Sequence, residues 1–413
     1  MKKINILYLS YDGMTDQLGQ SQVIPYLVGL SEKNYSITII SCEKKDAFEK
    51  GRIKIKELLD RHNILWEPLL YTKDPPVLST IYDLGKIKKK AAALFNKTNF
   101  EIVHCRSYIT GMVGLSLKKK YQCKFIFDMR GFYADERVDG KLWNLNNPVY
   151  KIIYNYFKKK EKVLLLNADY IISLTQNAKQ IINSWKLNTQ NELPIEVIPC
   201  CVDMNLFSPD NIDAEKKVSF RKELKITKEN FVLSYLGALG TWYMLDEMLD
   251  FFKILQNKKP NSIFLFITPE DKQQIVQEAA EKNIAQDKLI FITANRDDVP
   301  ALISLSDASI FFIKPVFSKR ASSPTKQGEI MSMGIPIICN SMIGDTDTII
   351  EESDSGIVIK SFDDKNYSEA IKKMESFKYF NPQKSREAAK KYFSLEKGIE
   401  SYQKVYNSVL NKV

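Results

Sequence analysis

A lysine and a glutamate three positions apart, Lys326 and Glu329, follow Ser323 and Pro324 in the stretch SSPTKQGEIMSMGIP. Together these residues describe a helix start able to meet an anion. Serine is a favourable N-cap, and proline suits the first helical position, where its missing N–H costs nothing; a helix is therefore expected to begin at Ser323. The unpaired N–H groups of Thr325, Lys326 and Gln327 would carry the positive end of the helix dipole, and Lys326 adds a full charge. Residues three apart share a helix face, so the cation can take phosphates while the carboxylate of Glu329 takes ribose hydroxyls. Taken by themselves, the same residues also read as an ordinary capped helix with a surface Lys–Glu pair.

The elements on either side decide between the two. Gly334 and Pro336 end the helix after Ile330, Met331 and Met333, which gives about three turns. The runs SIFFIK before it and PIICN after it read as strands, making the helix the crossover of a strand–helix–strand unit. Ligands in such units sit beyond the strand ends, and that placement favours the phosphate reading.

The segment resembles the nucleotide-binding signature of retaining glycosyltransferases of family 4, which carry S-P-x-K-x-x-E followed by a small-residue Gly-x-Pro turn. The resemblance implies an α/β protein of the GT-B type, with two facing Rossmann-like, doubly wound domains and an interdomain cleft. It also implies that Glu329 holds the ribose and Lys326 the diphosphate of a nucleotide-sugar, with Ser323, Pro324 and Thr325 beside them. The earlier glutamate that contacts the sugar in many relatives is Ala321 here. The turn LGALGTWYMLDEM would contribute Gly237, Gly240 and Thr241 to the donor, but its usual Arg and Lys are Ala238 and Tyr243. A diphosphate would then need a second cation, with Lys314, Lys319 and Arg320 near in sequence; alternatively, the donor carries one phosphate. Arg296, in TANRDDVP, matches the place where relatives hold the base. In the family the loop SYDGMTDQLGQSQ faces the donor phosphates; here it is expected to enter a helix at about Ser21, with Gly19 allowing close backbone approach.

Candidate strands at 4–10, 37–41, 64–67, 102–105, 124–128, 170–174 and 196–198 alternate with helix-like stretches, as do those at 232–237, 262–268, 289–293, 308–313 and 336–340. A mostly parallel sheet covered on both faces is expected in each half. VIPCCVDMNLF resembles the hinge that closes the first domain of these enzymes. It divides the chain into an acceptor-binding domain, 1–204 with a C-terminal helix from 392–413 crossing back, and a nucleotide-sugar domain, 205–391. Acceptor candidates lie at strand ends of the first half: His104 at the end of EIVHC and Arg106 just after it, and Asp128, Arg130, Asp135 and Glu136 in KFIFDMRGFYADERVDG. So many charges in a short loop must be paired or must bind something polar. Asp128 and Arg130 join Lys326 and Glu329 as catalytic candidates.

The 413 residues suit two or three domains, and 44% hydrophobic with 27% charged residues is the balance of a soluble globular protein. No apolar run approaches the roughly 20 residues needed to span a bilayer, and the first strand is too short to act as a signal peptide. Six cysteines without C-x-x-C spacing and two histidines point away from a metal site, and the cysteines read as buried small apolar residues in a reducing cytoplasm. No cofactor is expected, the nucleotide-sugar being a co-substrate. The formal charge of +10 gathers in lysine triplets at 88–90, 118–120 and 158–160. These are solvated helix faces or a peripheral contact with an anionic membrane on the inner face of the cell. No nucleic-acid motif accompanies them. The leading expectation is metal-independent transfer, with retention, of a sugar to a lipid-linked or saccharide acceptor in polysaccharide biosynthesis. A sugar-nucleotide epimerase and a non-catalytic sugar-nucleotide binder are the alternatives.

Overall fold

Among the described residues every ladder between the strands is parallel, and the strands form two sheets. The structure is a computed structural model that describes residues 3–75, 77–185, 187 and 192–411. Its chain divides into two units, Met1–Pro199 with Leu395–Val413, and Cys200–Ser394.

The first unit holds β1 (Ile4–Ser10), β2 (Tyr35–Glu43), β3 (Leu65–Leu70), β4 (Ile102–Arg106), β5 (Lys124–Asp128), β6 (Tyr170–Ser173) and β7 (Ile195–Val197), in the order β3-β2-β1-β4-β5-β6-β7. The second holds β8 (Phe231–Leu236), β9 (Ser262–Ile267), β10 (Leu289–Ile292), β11 (Ala308–Phe311), β12 (Ile337–Asn340) and β13 (Gly356–Ile359), in the order β10-β9-β8-β11-β12-β13. Helices join consecutive strands, so each sheet is covered on both faces and its central strands are almost wholly apolar and buried. In each sheet the strand order reverses once, between β1 and β4 and between β8 and β11. Those two points are where an open parallel sheet presents a crevice beyond its strand ends.

Three expectations shift. β3 runs to Leu70 through Pro68, because it lies at the sheet edge, where a residue without an N–H leaves no ladder bond unmade on the solvent side. The chain after β1 enters its helix at Gln17, earlier than expected, so Gly19 lies inside a helix, Gln17–Gln22. A Cβ on Gly19 would stand 2.1 Å from the Gly13 carbonyl oxygen and 2.6 Å from Met14 Cα. Gly19 thus permits a close approach of the chain to itself. That loop is held from β2, where the buried carboxylate of Glu43 accepts the N–H groups of Met14 (2.7 Å) and Thr15 (3.0 Å) and the hydroxyls of Thr15 and Ser41 (2.5 Å each).

Third, the helix expected from Ser323 spans Thr325–Ser332, eight residues, or about two turns rather than three. Pro324 is its N-cap, and the Ser323 hydroxyl instead accepts the N–H of Cys200 (3.1 Å). Its C-terminus closes as a Schellman turn: Gly334 (φ +66°) donates to Met331 and Ile335 to Ile330.

Candidate functional site

The crevice at the strand reversal of the second unit is built by two segments. One is the turn after β8, which runs back antiparallel to the chain leaving β11, with Met244 N–H donating to Phe312 O and Lys314 N–H to Trp242 O. The other is the start of the Thr325–Ser332 helix. Gln327 N–H is taken by Pro324 O (3.0 Å), a correction to the three free donors expected; those of Thr325 and Lys326 make no hydrogen bond among the described residues.

Lys326 is 7% exposed, and its Nζ is buried with no hydrogen-bond partner among the described residues. It lies 3.5 Å from the ring centroid of Tyr243 and 4.1 Å from that of Tyr235. An aromatic face attracts a cation by its quadrupole, worth about 1–2 kcal/mol when desolvated. It accepts none of the three N–H bonds. Burial holds the ammonium well below lysine's ordinary pKa, and Glu329 only partly offsets it. What stands there is a desolvated cation site whose donors are unused.

Glu329, one turn on, is buried and accepts Arg296 Nη1 at Oε1 (3.0 Å); Arg296 in turn rests over the Phe207 ring (5.2 Å). The structure therefore brings together Lys326, Glu329 and Arg296, with Thr325 and Pro324 beside them. Gly237 adopts φ +98°, and a Cβ there would lie 3.6 Å from Lys326 Nζ. Gly240 and Lys314 line a cavity of about 380 Å³ with Tyr243, Asp246 and Glu270. Thr241 is exposed at the tip of the turn. Of the neighbouring cations, Lys319 is buried with Nζ 3.6 Å from the Trp242 ring centroid, so two lysines in this unit stand on aromatic rings of one turn.

Gly237→Ala is expected to cost about 1–2 kcal/mol of stability from the positive φ alone. It should also weaken the affinity of inorganic pyrophosphate, read by calorimetry; a variant with unchanged affinity would remove this glycine from the site.

In the first unit, register places Tyr8 beside His104, Ser10 beside Arg106, and Arg106 beside Asp128 at the carboxyl edge of β1, β4 and β5. Arg106 Nε donates to Asp12 Oδ2 (3.0 Å), and its buried Nη1 has no partner among the described residues. Asp128 is fully buried and accepts the Tyr402 hydroxyl (3.2 Å); Arg130 Nη1 stands 3.8 Å and His104 Nε2 3.7 Å from the same oxygen. Burial pushes Asp128 up, but Arg130 and His104 outweigh it and its carboxyl lies below the usual range. Burial holds His104 below the ordinary histidine value, with Tyr406 Oη 2.8 Å from Nδ1. Tyr402 and Tyr406 belong to the last helix, Leu395–Asn411.

Asp135 does not join this group. It lies on the helix Tyr133–Asp139 with Glu136, and its carboxylate accepts Tyr154 Oη and Lys158 Nζ (2.8 Å each). Lys158 also pairs with buried Glu161 (2.5 Å). The expected acceptor set thus separates into a His104–Arg106–Asp128–Arg130 cluster at the strand ends and a second network that ties two helices together. The reason is that Asp135's partners come from residues 19 and 23 positions later, one face of a long helix.

Sequence reading passed over Tyr235 as a strand residue and took Tyr243 for a lost charge. An aromatic two positions before a strand-ending glycine was the available signal. It also missed Glu43 and the two tyrosines of the last helix.

Two family models match, "Glycosyltransferase Family 4" over residues 23–206 and "Glycosyl transferases group 1" over residues 216–393. The chain is 22% identical over 402 residues to the capsular polysaccharide biosynthesis glycosyltransferase CapM of Staphylococcus aureus, covering 95% of this chain and 96% of that one. Among solved structures it resembles sucrose-phosphate synthase from Thermosynechococcus elongatus (TM-score 0.75, 14% identity, all of both chains). It also resembles HepE of Anabaena in complex with UDP-glucose (TM-score 0.68, 14% identity, 98% of this chain and all of that one). With two Rossmann-like parallel-sheet units and the two family matches accounting between them for most of its length, the chain belongs to glycosyltransferase family 4, of GT-B type, and is a glycosyltransferase.

Proposed function

We propose that the protein transfers a sugar from a nucleotide-sugar to a lipid-linked or saccharide acceptor in polysaccharide biosynthesis, with retention, without a metal or other cofactor, and in peripheral contact with an anionic membrane on the cytoplasmic side. The observation that carries the reading is the buried, unpartnered ammonium of Lys326 at a helix start in the strand-reversal crevice. A relative named for capsular polysaccharide biosynthesis and a structural neighbour holding UDP-glucose support the acceptor and donor classes.

The chemistry needs charge stabilisation above all. As the glycosidic bond to phosphate breaks, negative charge grows on the leaving oxygen. Lys326 Nζ and the N–H groups of Thr325 and Lys326 meet it with dipoles already in place, so little reorganisation is required at the moment of reaction. Glu329, held at one oxygen by Arg296, keeps the other for ribose hydroxyls. The leaving phosphate takes the proton of the incoming hydroxyl on the same face, which gives retention without a protein base.

A melting-temperature screen against uridine, guanosine, cytidine and thymidine sugar nucleotides, with one and two phosphates, tests this. Ligand binding to the native state raises stability by mass action. One nucleotide should raise the melting temperature, and Glu329→Ala should abolish both that shift and transfer while remaining folded. A screen without any shift, or full transfer by Glu329→Ala, would overturn the assignment.

A further inference from the structure

The three lysine triplets, far apart in sequence, lie on neighbouring helices of the first unit: Leu78–Phe95, Ser107–Tyr121 and Pro148–Asn167. The crossovers β3 to β4, β4 to β5 and β5 to β6 all advance in one direction across the sheet. Right-handed crossovers then place all three helices on one face. The Ser107–Tyr121 helix packs against both of the others, and the Tyr156 hydroxyl reaches Met112 Sδ (3.6 Å) across one of those seams.

This layer carries four, three and five lysines on its successive helices against two acids, Asp83 and Glu161. Both acids are buried, each paired with a lysine of its own helix. Lys90, Lys118 and Lys158 also pair with acids outside these helices, Glu67, Asp169 and Asp135; the remaining lysines, Lys88 and Lys89 among them, leave an outward excess of positive charge. Large apolar side chains stand among the lysines. On the first helix Leu78, Ile81 and Tyr82 are 63%, 59% and 62% exposed. By helical spacing they continue directly into Lys88 and Lys89 on the same stripe. Leu70, Tyr71 and Val77 are exposed just before it, and on the third helix Val149, Ile152 and Tyr156 are exposed beside Lys159. Lys86 and Lys160 lie over the rings of Tyr82 and Tyr156 (5.0 and 5.3 Å).

An exposed apolar patch of this kind marks an interaction surface. Nucleic acid would match the lysines but would leave leucine and isoleucine in water. A bilayer with anionic headgroups takes both: apolar and aromatic side chains enter the headgroup–acyl boundary while lysines remain at the phosphates. We propose that the outer face of this three-helix layer docks the enzyme on an anionic lipid bilayer, its apolar contact centred on Leu78, Ile81 and Tyr82. The inference rests on the membrane contact of the proposed function and assigns it to particular residues.

The test is co-sedimentation of the full chain with vesicles of phosphatidylglycerol and phosphatidylcholine, and of phosphatidylcholine alone. Wild-type protein should bind the anionic vesicles, release at high salt, and bind neutral vesicles weakly. Lys88→Glu with Lys89→Glu should weaken binding by more than about tenfold, given roughly fivefold per lysine near the surface. Ile81→Ser with Tyr82→Ser should weaken it comparably even at low salt. These side chains are solvent-exposed, and circular dichroism and the nucleotide-induced melting shift should be unchanged in both variants; that shift separates failure here from failure of the donor reading. Vesicle binding that ignores both variants, or no binding to anionic vesicles, would overturn the proposal. So would light scattering in which Ile81→Ser with Tyr82→Ser converts a dimer to a monomer without affecting lipid binding, since the face would then serve a second copy of the chain.

Discussion

Replacing Lys326 with methionine is expected to push catalysis and stability in opposite directions. Transfer should fall by about 10²–10³, the usual loss when one preorganised donor to a developing oxyanion is removed. Stability at neutral pH should rise by about 1–3 kcal/mol, because a buried polar group without a partner is replaced by an apolar chain of similar shape. Loss of the contacts with Tyr235 and Tyr243 takes back part of that gain. The sign of the pH dependence follows from the depressed ammonium. Between its folded pKa and lysine's ordinary 10.5 the unfolded chain binds the proton and the folded chain does not. Wild-type stability therefore rises with pH through that window, and the methionine variant lacks the term. The difference between the two should shrink as pH approaches 10.5, measured by urea unfolding at several pH values. A variant less stable than wild type, or an active one, would contradict the reading of Lys326 as a strained anion ligand.

Gly19→Ala is the second large effect, and here the expected loss is structural. The added methyl would meet backbone on both near contacts, 2.1 and 2.6 Å, and backbone cannot swing aside as a flexible side chain can. The helix Gln17–Gln22 must shift away from Gly13 and Met14, breaking the arrangement that Glu43 holds. A cost above about 3 kcal/mol is expected, in the range where backbone clash and broken buried hydrogen bonds combine. Gly19 lies in the unit opposite to Lys326 in sequence, and the donor-phosphate contacts described above include none of its atoms. Under conditions where the variant is folded, pyrophosphate affinity measured by calorimetry should match wild type. A large affinity loss with unchanged stability would contradict this and support the donor role that the family resemblance implies.

The sequence made the alternation of strands and helices plain because parallel strands buried on both faces are continuous apolar runs, as in Ile4–Ser10 and Lys124–Asp128. β13 escaped notice since GIVI is only four residues long, too short for any periodicity to separate strand from helix. The helix start at the site was legible to within two residues; the choice of cap was not, because the hydroxyl of Ser323 had a better-placed donor in Cys200, 123 residues earlier. Pairings over such separations leave no local trace. Arg296 and Glu329 meet across 33 residues, and Asp128 finds Tyr402 across 274. The dense charge of the 128–137 loop likewise announced that partners were needed without saying which helices would supply them. Tyr243 was misjudged for a chemical reason: counting formal charges overlooks a neutral ring as a seat for an ammonium.

The most direct measurement is a crystal structure of the enzyme with a nucleoside diphosphate. The account predicts a phosphate oxygen within hydrogen-bonding distance of Lys326 Nζ and of the Thr325 or Lys326 N–H, with a ribose hydroxyl on Glu329. Phosphates bound elsewhere, with Lys326 still closed over by Tyr235 and Tyr243, would contradict it.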